Sequence, residues 1–279
     1  MDDTTEKWLN SATAILAGAG IESARLDAVL LLCDELGVDK SALFAYPERE
    51  LQRSQLQNLN KKIIQRTHHI PLAYLRGRVE FYGRKFGVNH HVLVPRPESE
   101  SIIELCKQVV GDSQGAAIVD VGTGSGCLAI TAKLELPHTT VHAIDLDTNC
   151  LSVARANAQF LHASITLLDG NLLEPLKDSQ FTAHSLIVLA NLPYVPLDHP
   201  INTAAAHEPK LALFSGHDGL DHYRALFAQI YMFALYPDRV ITESLVSQHI
   251  PLAKLAAKHG YVLETTDGLA QLYRHNTIK

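Results

Sequence analysis

Three glycines in five residues, Gly122, Gly124 and Gly126, stand between the apolar run AAIVD (116–120) and GCLAITAKLEL, whose apolar residues recur at helical spacing. A strand, a glycine turn and a helix in that order leave few folds open. Glycine lets the backbone turn tightly there and leaves room for a ligand to approach it. The alternation then repeats. TVHAID predicts a strand ending at Asp145, NCLSVARANAQFL a helix, ITLLD and SLIVLA two strands, GLDHYRALFAQIYMFAL a helix and RVITE a fifth strand, with a helix running on to His259. This pattern predicts a parallel sheet covered by helices on both faces. The closing runs YVLETT and AQLYRH, joined by Asp267 and Gly268, predict an antiparallel hairpin at one sheet edge.

The chain before this region reads differently. Residues 4–66 carry helical periodicity, as at Ala28, Leu31, Leu32 and Leu36 with Glu35 interrupting, and GAGI (18–21) and AYPERE (45–50) break it. A small helical bundle without a catalytic constellation is expected, serving as a positioning module. VEFYGRKFGVNHHVLVP alternates β-branched and aromatic residues with turn formers, the pattern of a hairpin. PRPESESIIELCKQVV predicts a helix with Pro97 in its first turn and Glu98 and Glu100 near its positive end, and residues 111–116 predict a loop. The expected organisation is therefore a helical domain over 1–72, a hairpin linker over 73–95 and an α/β domain over 96–279.

Composition narrows the function. The 279 residues carry a net charge of −6, which does not suggest general nucleic-acid binding. The stretch from Lys61 to Arg96 nevertheless holds eight Lys and Arg against one acid, Glu80. Such a run is either a solvated face or a docking surface for an acidic protein or a ribonucleoprotein. Cys33, Cys106, Cys127 and Cys150 are widely spaced, which argues against zinc or a disulfide framework and fits a reducing cytoplasm. The acidic start MDDTTEKW is not a signal peptide, and no uncharged apolar run reaches the ~18 residues of a membrane span. The fifteen histidines show no metal-ligand spacing, so no metal is expected.

The glycine turn excludes two common phosphate binders. Cys127 occupies the last place of a dinucleotide G-x-G-x-x-G pattern, and the Gly-Lys-Ser/Thr of a Walker loop is absent. The spacing D-x-G-x-G-x-G resembles the S-adenosylmethionine loop of class I methyltransferases, which implies cofactor contacts from Asp120, Gly122, Thr123, Gly124, Ser125 and Gly126. Asp145 ends the next strand, where an acid can accept from both ribose hydroxyls. Its alternative role is to cap the following helix, but Asp147 is the better-placed cap.

A second constellation sits at the end of the fourth strand. In ANLPY, Asn191 can both accept and donate hydrogen bonds, Leu192 offers a backbone carbonyl held by the stiff Pro193, and Tyr194 offers a flat face. Together they form a cradle for a planar group bearing –NH₂, where the plain alternative is an ordinary strand-end turn. The segment is similar to the Asn/Asp-Pro-Pro-Tyr/Phe signature of methyltransferases acting on amides and bases, and by itself it leaves protein glutamine, DNA adenine and rRNA adenine open. The rRNA adenine dimethyltransferases also carry Asn-Leu-Pro-Tyr.

Two further segments, PLAYLRGRVEFYGRKFGVNHHVLVPRPESE (71–100) and HEPKLALFSGHDGLDHYRAL (207–226), resemble the release-factor glutamine methyltransferase family (HemK/PrmC). The resemblance implies a class I, Rossmann-like seven-stranded sheet with a small N-terminal helical bundle and a β-hairpin linker. It implies methyl transfer from S-adenosylmethionine, leaving S-adenosylhomocysteine, to the amide nitrogen N5 of the glutamine in the Gly-Gly-Gln motif of peptide chain release factors. A monomer is expected, with a release factor as partner and nucleic acid not the direct substrate. The alternatives are adenine-N6 transfer to rRNA or DNA, and glutamine methylation of a ribosomal protein. In this reading Asn191 and the Leu192 carbonyl accept the two amide hydrogens, Tyr194 packs against the amide plane, and Asn171, Leu172 and Asn191 itself join the cofactor site. The chain departs from the family pattern at Ser99 (usually Thr), Leu192 (usually Pro), Asn171 (commonly Asp) and in TESLVSQ, which keeps Glu243 and Gln248 but lacks an intervening Gly.

Overall fold

The computed structural model describes residues 4–111, 115–178 and 185–276; residues 112–114 of the expected loop lie outside these. The chain divides into two compact units, residues 1–78 with 201–207, and residues 79–200 with 208–279.

The first unit is helical: α1 (Thr5–Gly18), α2 (Ala24–Leu36), α3 (Lys40–Ala45), α4 (Arg53–Thr67) and α5 (Leu72–Arg76). Trp8, Leu16, Leu31, Leu32 and Leu59 form its core, and the Trp8 indole N–H donates to Asn60 Oδ1 at 3.0 Å. Asp27 is buried on the apolar face of α2 and is met by Arg66 at 2.7 Å, which supplies the partner that a buried carboxylate requires.

The second unit opens with the hairpin of β1 (Arg78–Phe81) and β2 (Arg84–Gly87), whose first residue closes the helical unit. The hairpin is shorter than the alternation in the sequence suggests, because residues 88–96 leave the strand conformation. It packs with the α/β layers. Gly87 exchanges hydrogen bonds with the Asn157 side chain at 2.7 and 3.0 Å, and the Tyr82 N–H donates to Glu100 at 2.7 Å. A 3₁₀ turn with Pro97 in its first positions leads into α6 (Glu100–Val110).

The sheet is made of β3 (Ala116–Val121), β4 (Thr140–Asp145), β5 (Thr166–Asp169), β6 (Ser185–Ala190), β7 (Arg239–Glu243), β8 (Tyr261–Asp267) and β9 (Ala270–His275), in the order β5-β4-β3-β6-β7-β9-β8. The first five in that order are parallel, and β9 enters antiparallel between β7 and the edge strand β8. Intervening helices are α7 (Cys127–Glu135), α8 (Thr148–Phe160), α9 (Asp221–Met232) and α10 (His249–Lys258). All six residues of β3 are buried, as a central strand covered on both faces must be. Alternate residues serve different layers: Ile118 and Ile187 pack with Ile102 and Ile130, whereas Val119 and Val188 pack with Leu226 and Phe227. The strand order reverses between β3 and β6. The crevice beyond the carboxyl ends of these two strands is where open α/β sheets bind ligands.

Candidate active site

The glycine turn and the NLPY segment leave the carboxyl ends of neighbouring strands β3 and β6, where Asp120 is in register with Leu189. Asp120 is almost fully buried. Its Oδ2 accepts from the Thr123 hydroxyl at 2.6 Å and from the Ala129 N–H at 3.1 Å. The second bond caps the first turn of α7, a service that Gly126, lacking a side chain, cannot perform. Asp120 Oδ1 is buried without a partner. Burial pushes this carboxyl up to about 6.

The other loop residues divide between fold and ligand. Thr123 and Ser125 have buried side chains, so they are available to a ligand chiefly through their backbone. A Cβ at Gly126 would meet Ala154 Cβ at 3.1 Å, so its missing side chain admits α8. A Cβ at Gly122 would meet Leu192 Cδ2 at 3.0 Å, so the buried leucine side chain packs on the turn itself. At Gly124, by contrast, a Cβ would meet nothing within 4 Å. This is the open face of the turn.

Asp145 ends β4 beside it. Its carboxylate accepts from the Gly124 N–H at 2.8 Å and the Asp147 N–H at 3.0 Å, and burial raises its pKa. Asp147 is the N-cap of α8 and accepts from the Asn149 N–H at 2.8 Å. Asn171 and Leu172 follow β5; the Asn171 side chain is exposed, while Leu172 has its side chain in the core. Any ligand contact from Leu172 must therefore come from its backbone.

In the NLPY turn, the half-buried Asn191 donates from Nδ2 to Ser99 Oγ at 2.9 Å. Tyr194 donates from its hydroxyl to Glu243 Oε1 at 3.0 Å, and its carbonyl accepts from Gln248 Nε2 at 2.7 Å. Gln248 also donates to the Asp218 carbonyl at 2.7 Å. A Cβ on the neighbouring Gly219 would lie 2.0 Å from the Tyr194 carbonyl oxygen, so the DGL segment is pressed directly against the turn. Beneath it lies Glu243, 1% exposed at the end of β7. Burial pushes the Glu243 carboxyl up, and the Ser99 and Tyr194 hydroxyls oppose that shift. The Ser99 hydroxyl and the Asn191 amide bear on this carboxylate, yet its Oε2 has no partner at full hydrogen-bond geometry. The buried Tyr223 hydroxyl donates to the carbonyls of Ala190 and Glu243, tying the ends of β6 and β7 together.

Two supporting residues are not evident from the sequence pattern. Asn157 joins the hairpin to the glycine turn, donating to the Ser125 carbonyl at 2.8 Å. Glu208 is buried, accepts from the Val94 N–H at 3.0 Å and pairs with Arg96. The basic stretch proves to be largely ion-paired. Among the described residues, Lys62, Arg66, Arg76, Arg78, Arg84 and Arg96 have acidic partners in Glu35, Asp27, Asp34, Asp34, Glu135 and Glu208. No helix among the described residues is long and apolar enough to cross a membrane.

The parallel sheet with its antiparallel closing hairpin, the glycine turn after β3 and the acid ending β4 define a class I methyltransferase. At 12% identity, the fold matches the catalytic domain of hMettl16 solved with MAT2A 3'UTR hairpin 1, with a TM-score of 0.54 over 83% of this chain and 85% of that one. Residues 7–77 match the family model for the PrmC N-terminal domain, and residues 100–210 match that for ribosomal protein L11 methyltransferase (PrmA). The chain is 36% identical over 232 residues to the release factor glutamine methyltransferase of Koribacter versatilis (strain Ellin345), covering 82% of this chain and 81% of that protein. It is 34% identical over 231 residues to the Bacillus subtilis (strain 168) protein of the same description, covering 80% and 78%. The chain belongs to the release factor glutamine methyltransferase family.

Proposed function

We propose that this chain transfers a methyl group from S-adenosylmethionine to N5 of the glutamine in the Gly-Gly-Gln motif of a peptide chain release factor. The observation that carries the reading is the Asn191 amide. With Nδ2 engaged by Ser99 at 2.9 Å, Oδ1 is the end left to accept a substrate N–H. The Leu192 carbonyl accepts the second amide hydrogen, and the Tyr194 ring packs on the amide plane.

The residues around the glycine turn fit the cofactor. The buried, unpartnered Asp120 Oδ1 is an acceptor suited to an ammonium group, and the space beside Gly124 admits a ligand to the backbone. Asp145 keeps lone pairs for ribose hydroxyls beyond the two backbone bonds it accepts, and Asn171 and the Leu172 backbone border the adenine side. Bound there, S-adenosylmethionine supplies an electrophilic methyl group on sulfonium sulfur.

An amide nitrogen is a weak nucleophile because its lone pair is delocalised. Asn191 and Leu192 compensate by aiming that nitrogen and by offering two acceptors where positive charge develops on it. No side chain has to remove a proton beforehand. The helical unit serves to position the release factor, and the enzyme acts as a monomer in the cytoplasm, where translation termination takes place.

Asn191→Ala is expected to lower turnover at least ~100-fold while cofactor affinity survives, since one placed polar contact is worth roughly 2.7–4 kcal/mol in a transition state. Labelled methyl transfer to purified release factor, ribosomal protein L11 and rRNA, each assayed separately, tests the acceptor. Transfer to rRNA or L11 in place of the release factor would overturn the reading.

A further inference from the structure

A carboxamide has two ends of nearly equal size, and only one is useful at Asn191. If the group turned over, Nδ2 would point a donor at the donor hydrogens of the acceptor amide. The Ser99 hydroxyl cannot prevent this alone, because a hydroxyl both donates and accepts. A carboxylate only accepts, and one lies directly behind.

We propose that Glu243 is the positioning residue that fixes which way the Asn191 carboxamide faces, acting through the Ser99 hydroxyl. The proposal rests on the reading of the NLPY turn as the acceptor clamp. Asn191 Nδ2 donates to Ser99 Oγ at 2.9 Å, which leaves the Ser99 proton to be given elsewhere. Glu243 takes it. The carboxylate is buried on the neighbouring strand, its Oε1 already accepts from Tyr194 at 3.0 Å, and Oε2 is buried with no partner at full geometry. The Ser99 hydroxyl and the Asn191 amide are the groups that bear on it. When ionised, the carboxylate at the end of the row only accepts and so sets the direction of every bond in it: Asn191 donates to Ser99, and Ser99 would donate to Glu243. Asn191 Oδ1 must then face outward, towards the acceptor.

The backbone holds this row in register. Tyr223 bonds the carbonyls of both Ala190 and Glu243, so the strand ends that carry Asn191 and Glu243 cannot slide apart. The same carboxylate orients the Tyr194 hydroxyl, so one buried group aims two members of the clamp. In this arrangement position 99 needs a hydroxyl, which Ser99 supplies. The row needs the hydroxyl and not the methyl group.

Glu243→Gln tests this with almost no change of shape, because a glutamine can present –NH₂ to Ser99 and reverse the row. The expected result is a drop in kcat of at least about 30-fold. KM for the release factor should stay within about threefold, S-adenosylhomocysteine affinity within about twofold, and the thermal midpoint should not fall. Ser99→Ala should reproduce the kcat loss, and Ser99→Thr, which keeps the hydroxyl, should retain the wild-type kcat. In an Asn191→Ala background, Glu243→Gln should cost much less than it does in the wild type, because one of the two residues it orients is gone.

A readout that needs no acceptor accompanies these. The side-chain –NH₂ resonances of Asn191, identified by their loss in Asn191→Ala, should shift in Glu243→Gln. If the wild type methylates no release factor, the proposed function fails while the resonances still judge the role of Glu243. Near-normal kcat in a folded, cofactor-binding Glu243→Gln, fully additive losses in the double variant, or unmoved Asn191 resonances would each overturn the inference.

Discussion

Gly124→Ala separates what the glycine turn does for the fold from what it does for the ligand. The residue has φ +55, and a Cβ there would meet no heavy atom within 4 Å. The substitution therefore costs the chain only the left-handed backbone strain of a residue with a side chain, roughly 1–2 kcal/mol. At about 2–4 °C per kcal/mol, the thermal midpoint should drop by about 2–8 °C. The methyl group instead enters the space through which a ligand reaches the backbone. Overfilling a packed contact by one methyl costs roughly 1–3 kcal/mol, which weakens binding by about 5- to 150-fold. Gly126→Ala is the control from the same turn. Its Cβ would press on Ile130 Cδ1 at 3.0 Å and on Ala154 Cβ at 3.1 Å, so it should lose more stability. Thermal unfolding and calorimetric titration with S-adenosylhomocysteine read the two effects apart. If Gly124→Ala bound S-adenosylhomocysteine like the wild type, or lost as much stability as Gly126→Ala, the assignment of the open face to the cofactor would be refuted.

Other perturbations follow from the same geometry. Burial pushes the Asp120 carboxyl up to about 6, so the ligand-free fold gains a proton, and stability, as pH falls through that value. Binding of an ammonium group needs the carboxylate, so S-adenosylhomocysteine affinity should be about tenfold weaker at pH 5 than at pH 7. Asp120→Asn should flatten that profile in calorimetry, and an unchanged profile would assign the titration elsewhere. Gly219→Ala places a Cβ 2.0 Å from the Tyr194 carbonyl oxygen and 2.2 Å from Gln248 Nε2, at φ +77. It should displace the turn and cut methyl transfer by at least about tenfold while S-adenosylhomocysteine affinity holds, because Tyr194 belongs to the proposed acceptor clamp. Equal losses of both, at unchanged stability, would contradict that division.

Much of the fold is legible because periodicity reports burial. Five of the six buried residues of β3 are apolar, with Asp120 the exception, and the strand–helix alternation that follows indicates a parallel sheet without any distant contact. Asp147 is recognisable as a cap because a cap acts within its own turn, accepting from Asn149 two residues away. Charge is less legible. The run from Lys61 to Arg96 looks like an unbalanced surface because its neutralising acids lie far along the chain. Arg76 meets Asp34 across 42 positions, Arg84 meets Glu135 across 51, and Arg96 meets Glu208 across 112. Counting charge in a window treats these as absent, although packing brings them within bonding distance.

The same separation runs through the site. A local motif names the atoms that can touch a substrate, and NLPY does so within four residues. The groups that aim those atoms come from elsewhere: Ser99 lies 92 positions from Asn191, Glu243 lies 49 from Tyr194, and Gln248 lies 54 from Tyr194. Leu192 shows the limit of reading such a turn one residue at a time. As a motif letter it is a proline replaced by leucine, tolerable if only its carbonyl matters. In the fold its buried side chain lies against the Gly122 position, so the NLPY turn and the glycine turn share one packing contact. A smaller residue at 192 would loosen both turns at once, because one buried side chain packs the NLPY turn against the glycine turn.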